Sequence, residues 1–202
     1  MAGTKERLVQ AALATIKEEG YGGTTARAIA GRAGVNQALI YYHFGDIKNL
    51  LLAALDATSA ERMRSYEALL EKTETIEDLV LLARDVYRED LAAGHVTVLS
   101  ELIAGSLQHK ELGPEVLKRL RPWIDFAERS IAKVTKDSVL EVLIPARDVA
   151  VGVVAFYLGV DLLHQLDPAE SPADRLFDHA SRLAPGLGML MAFGTVEEEE
   201  EV

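Results

Sequence analysis

The sequence of 202 residues contains no cysteine, and this absence removes several classes of protein at once. Without thiols there is no disulfide framework, no cysteine nucleophile and no thiolate-bound zinc or iron–sulfur site. Long apolar runs are also scarce, since the most apolar segment, 149–160, is too short to span a bilayer before Asp161 interrupts it. The opening MAGTKERLVQ lacks the apolar run of a signal peptide, so we expect a cytoplasmic protein.

Catalytic and ligand-binding signatures are equally scarce. The 5 histidines form neither an H-E-x-x-H nor an H-x₃-H pair, so no helix-borne metal site is predicted. The stretch Gly105-Ser106-Leu107 is followed by Gln108, which rules out the G-x-S-x-G turn of a serine hydrolase. No G-x-x-x-x-G-K-[ST] phosphate loop is present. We therefore expect no metal, no cofactor and no enzymatic activity.

The charge is strongly acidic overall but unevenly distributed. The net charge is −11, yet residues 1–50 hold six basic and four acidic side chains, and five of the other acids form the run Glu197–Glu201. Residues 1–50, called the head below, are mildly basic, and the rest of the chain, called the body, is acidic. This distribution is typical of a small polyanion-binding module joined to an acidic domain. On charge alone, a solubilised surface with chance asymmetry is the simpler explanation. The acidic run itself is expected to do no more than stay solvated.

Apolar residues recur with the period of an α-helix almost throughout, and no segment alternates with the period of a strand, so we predict an all-α fold. Gly20 is expected to close the first helix, while Thr25 and Asp46 are expected to cap later ones. Pro122 should kink or divide the helix that contains it. After Gly20, the predicted helices are about 26–33, 36–44, 46–70, 75–93, 95–109, one opening at Gly113-Pro114, 145–166 and 172–193.

Residues 25–44 have the composition of a helix-turn-helix unit, in which the second helix enters the major groove of DNA. Gly34 supplies the tight turn between the two helices, and Asn36 is expected to cap the second one. The residues expected on the shared buried face are Ile29, Ala30, Ala33, Val35, Ile40 and Phe44. Those left outside are Gln37, Ala38, Leu39, Tyr41, Tyr42 and His43, whose aromatic, amide and imidazole groups suit base edges and phosphates.

The segment TTARAIAGRAGVNQALIYYHF, residues 24–44, resembles the DNA-binding domain of the TetR family of bacterial transcriptional regulators. The pattern T-T-x-x-x-I-A-x-x-A-G-V and the ending Y-x-H-F carry the resemblance, which covers about residues 5–55. It implies an N-terminal three-helix helix-turn-helix domain at 1–45, a larger helical ligand-binding and dimerisation domain at 46–195, and an acidic tail at 196–202.

The resemblance also implies roles for individual residues. Thr25 and Arg27 would lie at the phosphate backbone, and Gln37 would read a base, because its amide can pair bidentately with adenine. The predicted DNA-binding residues are Thr25, Arg27, Asn36, Gln37, Ala38, Leu39, Tyr41, Tyr42, His43 and Lys48. The family usually has a lysine where this chain has Ile47, and Lys48 follows one place later. Whether Lys48 replaces that lysine at a phosphate is left open.

The body is expected to form a homodimer and to bind a small molecule. Segment 145–166 is apolar nearly all round, so it must be covered on every side, and with 172–193 it could build a four-helix seam between two copies. An intramolecular core is the alternative. The predicted effector-binding residues are Leu99, Leu102, Ile103, Trp123, Phe126 and Phe156. The absence of a basic cluster near them favours an apolar or neutral ligand.

The sequence therefore predicts a DNA-binding transcriptional regulator, a repressor released from a pseudo-palindromic operator by a small, mainly apolar ligand. Two alternatives stay open. One is an all-α small-molecule carrier or interaction module with a vestigial DNA-binding head, which Ile47 supports. The other is a helical enzyme that acts inside the apolar body.

Overall fold

The computed structural model describes residues 3–93 and 95–192, which form α-helices joined by short connections. Within these ranges there is no β-strand, which confirms the predicted all-α fold. The helices are α1 (Thr4–Gly23), α2 (Ala26–Ala33), α3 (Ala38–Phe44), α4 (Ile47–Leu70), α5 (Ile76–Ala93), α6 (His95–Gln108), α7 (Leu112–Thr135), α8 (Val139–Leu143), α9 (Ala146–Leu166) and α10 (Ala173–Ala192), with a 3₁₀ turn at Pro168–Glu170. The predicted helix end at Phe193 and the acidic tail 196–202 lie outside the described residues.

The ends of the N-terminal helices follow from local chemistry. Asp46 Oδ1 accepts a hydrogen bond from the Asn49 N–H at 2.7 Å and caps α4 as expected. Gly20 takes a positive φ of 67° and leaves helical geometry, so the regular part of α1 ends there as predicted. The residues from Gly20 to Gly23 form a further turn beyond this kink.

The structure answers one of the two expectations at Pro122, and it adds a short helix. Helix α7 continues through Pro122, so the proline does not divide it. A proline removes one backbone hydrogen bond of a helix, which is not enough to end α7; a kink at this position stays a prediction. The five-residue helix α8 was not predicted, because it is too short to show a period.

Helix α9 is longer than the apolar run that was counted from the sequence. It continues through Asp161 to Leu166, and its 21 residues are long and apolar enough to cross a membrane by length and composition. The expectation that this segment is too short was therefore wrong, because Asp161 does not end the helix. A single helix of this kind is weak evidence for a membrane span; Asp161 is fully buried by protein, although only 17% of the apolar window is buried.

The chain divides by packing into two units, which are described separately. The first contains Met1–Ser65 and Asp90–Arg121, and the second contains Tyr66–Glu89 and Pro122–Val202. The first unit thus adds most of α4, the end of α5, all of α6 and the start of α7 to the three N-terminal helices. The division of function at residues 45 and 46 stays a prediction, because packing does not measure what each segment binds.

The core of the first unit joins the helix-turn-helix segment to α4 and α6. Leu8, Ile29 and Ile40, one from each N-terminal helix, are completely buried together with Leu50 of α4 and Leu102 of α6. Side chains of this type contribute about 1.5–3 kcal/mol each when they leave water. The three N-terminal helices are together too small to bury such a core alone, and side chains of α4 and α6 complete it.

The core of the second unit is aromatic at its centre. The ring of Tyr87 meets the rings of Tyr157 and Phe177 at centroid distances of 5.4 and 5.6 Å. Asp161 is fully buried and accepts a hydrogen bond from the Gln165 side chain. Burial raises the pKa of Tyr87, and the negative charge of Asp161 adds to the effect.

The position of Leu102 leads to a stability prediction. Replacing Leu102 by Ala should lower the free energy of unfolding by about 2–5 kcal/mol, because a cavity opens in the core of the first unit. Leu107→Ala on the same helix is the matched control, since Leu107 is 82% exposed and its loss leaves no cavity. Urea denaturation followed by circular dichroism measures both. Equal effects of the two substitutions would contradict this assignment of the core.

Candidate DNA-binding surface

The turn between α2 and α3 is built from backbone hydrogen bonds around one glycine. Gly34 has φ 62° and ψ 41°, the left-handed conformation that glycine adopts at least cost. The N–H groups of Gly34 and Val35 donate to the carbonyls of Gly31 and Ala30, which closes α2. Asn36 Oδ1 then accepts from the Ala38 N–H at 2.8 Å and starts α3. The second helix is thus held at a defined angle to the first.

A side chain from α1 reinforces this turn. Arg7 Nη2 donates to the carbonyl of Ala33 and to that of Gly34, the latter at 3.3 Å. These carbonyls lie at the C-terminal end of α2, where a positive charge is favourable. Sequence reasoning counted Arg7 only as one basic residue of the head. No local spacing could reveal the contact, because it joins residues far apart in the chain.

Helix α3 turns a polar and aromatic face to solvent. Ile40 is fully buried, whereas Tyr41 is 51% and Tyr42 81% exposed. Gln37 and Ala38 are also exposed, while Leu39 and His43 are half-buried. The rings of Tyr42 and His43 meet edge to face at a centroid distance of 4.9 Å. Aromatic side chains of this size are uncommon on a plain solvated surface, so this face is a candidate for binding.

The start of α2 presents a second group of predicted residues. Thr25 Oγ1 accepts a hydrogen bond from the Ala28 N–H at 3.2 Å, which leaves its own O–H free to donate. Arg27 is exposed, and among the described residues it has no ion-pair partner. Thr25 and Arg27 can therefore both reach an external acceptor such as a phosphate.

Other basic residues of the head are engaged within the protein. Arg32 pairs with Glu18, and that hydrogen bond lowers the pKa of the Glu18 carboxyl. Lys17 donates to the carbonyl of Ala93. Lys48 Nζ lies 2.6 Å from Glu111 Oε1. Ile47, where the family usually has a lysine, is half-buried against the core.

The predicted effector-binding residues fall into two sets, one in each packing unit. Leu102 is completely buried in the core of the first unit, with Leu99 and Ile103 packed against that core. In the second unit Phe126 is buried, and the ring centroids of Trp123 and Tyr66 are 6.1 Å apart. Phe156 is 48% exposed on α9. A pocket formed by all six stays a prediction.

Two features of the second unit were not found by sequence reasoning. One is the aromatic cluster of Tyr87, Tyr157 and Phe177 next to the buried Asp161. Its members come from three helices, so no spacing in the sequence connects them. The other is an open cavity of about 480 Å³ whose lining includes Glu74, Glu77, Val134, Met189 and Met191. It contains none of the predicted effector residues.

Helix α1, the two short helices α2 and α3, and the exposed polar and aromatic face of α3 define the class as a helix-turn-helix DNA-binding protein. Residues 8–54 match the family model of bacterial regulatory proteins of the TetR family. This match confirms, for the N-terminal segment, the resemblance seen in residues 24–44. The search of curated proteins found no match.

Solved structures with the same fold cover nearly the whole chain. The fatty acid degradation regulator FadR from Bacillus halodurans is 17% identical over 91% of this chain and 95% of its own, with a TM-score of 0.73. FadR from Bacillus subtilis in complex with stearoyl-CoA is 16% identical over 89% and 96%, with a TM-score of 0.68. A putative transcriptional regulator from Saccharomonospora viridis in complex with choline is 17% identical over 89% and 94%, with a TM-score of 0.71. Identities this low establish the fold alone.

The contact of Arg7 with the turn gives a second prediction. Arg7→Gln should lower the free energy of unfolding by about 1 kcal/mol, because it removes charged donors from two carbonyls that end α2. It should also weaken binding to every DNA duplex, because α3 loses a fixed orientation. Arg32→Gln removes only an exposed ion pair in the same head and should leave both properties nearly unchanged. Thermal unfolding measures the stability of both variants, and fluorescence anisotropy measures their affinity for DNA. Identical behaviour of the two variants would contradict the role of Arg7 in fixing the turn.

Proposed function

We propose that this regulator is a homodimeric repressor that binds a pseudo-palindromic operator and is released from it by a small, mainly apolar ligand. The observation that carries the DNA-binding part is the exposed face of α3 on a turn held by Gly34, Asn36 and Arg7. A preformed reading helix of this kind can enter the major groove without further ordering.

Roles at the DNA follow from exposure and chemistry. Gln37 is exposed at the start of α3, and its amide can pair bidentately with adenine in the major groove. Ala38 and the outer part of Leu39 are suited to a thymine methyl group. Thr25 and Arg27 are suited to phosphates, which position the protein without reading sequence. Tyr41, Tyr42, His43 and the amide of Asn36 are the remaining proposed contacts.

The dimer proposal is supported by apolar surface on two helices of the second unit. Val151, Val153 and Phe156 of α9 are each exposed by 41% or more, although Val160 further along is buried. Leu183, Leu187 and Leu190 are exposed along α10. Leu183, Leu187 and Leu190 share one face of α10 by their spacing, and a second copy of α9 and α10 would cover these exposed apolar side chains.

The ligand proposal rests on a shift between two states of the dimer. Helix α4 runs from the head core, where Leu50 and Leu51 are buried, to Leu70. We propose that a ligand in the body displaces α4 and so changes the spacing of the two reading helices. To reverse a 99:1 ratio of the two states, the ligand must bind the state released from DNA about 5.5 kcal/mol more tightly than the state that binds DNA. The stearoyl-CoA and choline bound by the two similar structures differ widely, so the fold alone does not select a ligand.

The proposal places the protein in the cytoplasm, where it would act by binding rather than by catalysis. The alternative function is that of a small-molecule carrier or interaction module with a vestigial DNA-binding head. The half-buried Ile47 and the pairing of Lys48 with Glu111 favour this alternative. The two differ in DNA binding, which makes that property the one to measure.

Selection of bound sites from random duplex DNA at two salt concentrations tests the DNA-binding proposal. A pseudo-palindrome should be recovered, and the logarithm of its binding constant should fall by about 0.9 per neutralised phosphate against the logarithm of salt concentration. Gln37→Ala should relax sequence preference at one base pair of each half-site, whereas Arg27→Ala should weaken binding to all duplexes alike. If the protein is a folded dimer and enriches no sequence, the result contradicts the DNA-binding proposal and favours the carrier alternative.

The dimer is tested by placing a charge on the proposed seam. Phe156→Arg should convert the dimer to a monomer in sedimentation velocity, because the arginine would be buried between two apolar helices. Leu81→Arg on α5 is the control, since Leu81 is 50% exposed and lies outside the proposed seam. A wild-type monomer, or dissociation by both substitutions, would count against this interface.

A further inference from the structure

The ion pair between Lys48 and Glu111 joins one of the predicted DNA-binding residues to the connection between α6 and α7. The two atoms, Nζ and Oε1, are 2.6 Å apart, within hydrogen-bond distance. This bond raises the pKa of Lys48 and lowers that of Glu111, so both groups are charged at neutral pH. His109 Nδ1 is a more distant neighbour of the same carboxylate oxygen, at 3.9 Å.

The backbone that carries Glu111 is fixed on both sides. Leu112 is buried in the core of the first unit, and its N–H donates to the His109 carbonyl at 2.8 Å. The His109 N–H donates to the carbonyl of Gly105 at 3.0 Å. Gly105 lies under the ring of Tyr21, where an added Cβ would come within 2.7 Å of the ring. The carboxylate is therefore held beside the start of α4 by the packing of α1 against α6.

Lys48 is placed where a phosphate could compete for it. It lies in the first turn of α4, only a few residues after the reading helix α3. Its side chain is 35% exposed and that of Glu111 is 59% exposed. Exposed ion pairs contribute little to stability, whereas duplex DNA offers a dense row of phosphates. The existing pair can thus be exchanged for one with DNA.

We propose that Glu111 is a positioning residue that competes with the DNA backbone for Lys48 and so weakens operator binding. The inference rests on the proposed function and adds a named contact through which the α6–α7 connection affects DNA affinity. The coupling is reciprocal: bound DNA releases Glu111, and any change that moves Glu111 away from Lys48 strengthens DNA binding.

The test is a double-mutant cycle on Glu111→Gln and Lys48→Met, measured by fluorescence anisotropy with two labelled duplexes. One duplex carries the selected operator, and the other is a scrambled sequence of the same composition. Glu111→Gln should bind both about two- to five-fold more tightly per protomer, because a phosphate contact carries no sequence information. The gain should vanish when Lys48 is Met, a residue of similar length without charge.

Glu115→Gln is the matched control for the loss of one negative charge. Glu115 lies one helical turn further along the chain, is 47% exposed and pairs with Arg119 at 2.8 Å, so its removal should change affinity much less. Unchanged thermal midpoints show that the variants are folded. If the wild type binds DNA and Glu111→Gln binds no more tightly, the competition is overturned. The same holds if Glu111→Gln still raises the affinity in the Lys48→Met background. Either result leaves the regulator proposal standing. No salt-sensitive binding by either the wild type or Glu111→Gln overturns both.

Discussion

The burial of Ile40 determines what this protein can present to DNA. Helix α3 has only seven residues, too few to be stable in water without tertiary contacts. Once Ile40 lies in the core with Leu8, Ile29 and Leu50, the rotation of the helix is set, since each residue turns the chain by about 100°. Tyr41 and Tyr42 then point outward, and Gln37 and Ala38 occupy the exposed first turn.

The same core explains why the head does not end with its three short helices. Leu102 of α6 is as deeply buried as the apolar side chains of α1 and α2. A segment assigned by resemblance to the ligand-binding body is therefore also a structural part of the DNA-binding head. Any movement of α6 therefore acts on the core that holds α3.

The modest positive charge of the head is largely used inside the protein. Arg7 holds the turn, Arg32 pairs with Glu18 and Lys48 pairs with Glu111, which leaves Arg27 as the exposed cation at the start of α2. A count of charges in the sequence therefore overestimates the electrostatic attraction for DNA. Under the proposed function, the affinity for DNA would depend on which of these internal pairs can be exchanged for pairs with phosphates.

Local patterns in the sequence were sufficient to predict the helical fold, most helix boundaries and the position of the turn, because these features depend on neighbouring residues. The signals are the period of apolar side chains, the caps at Thr25 and Asp46, and the glycine at position 34. The contacts of Arg7 and Glu111, the aromatic cluster around Tyr87 and the placement of Leu102 were decided only by tertiary structure. Each of these contacts joins residues distant in the chain, and a single sequence carries no period or spacing that records such a contact.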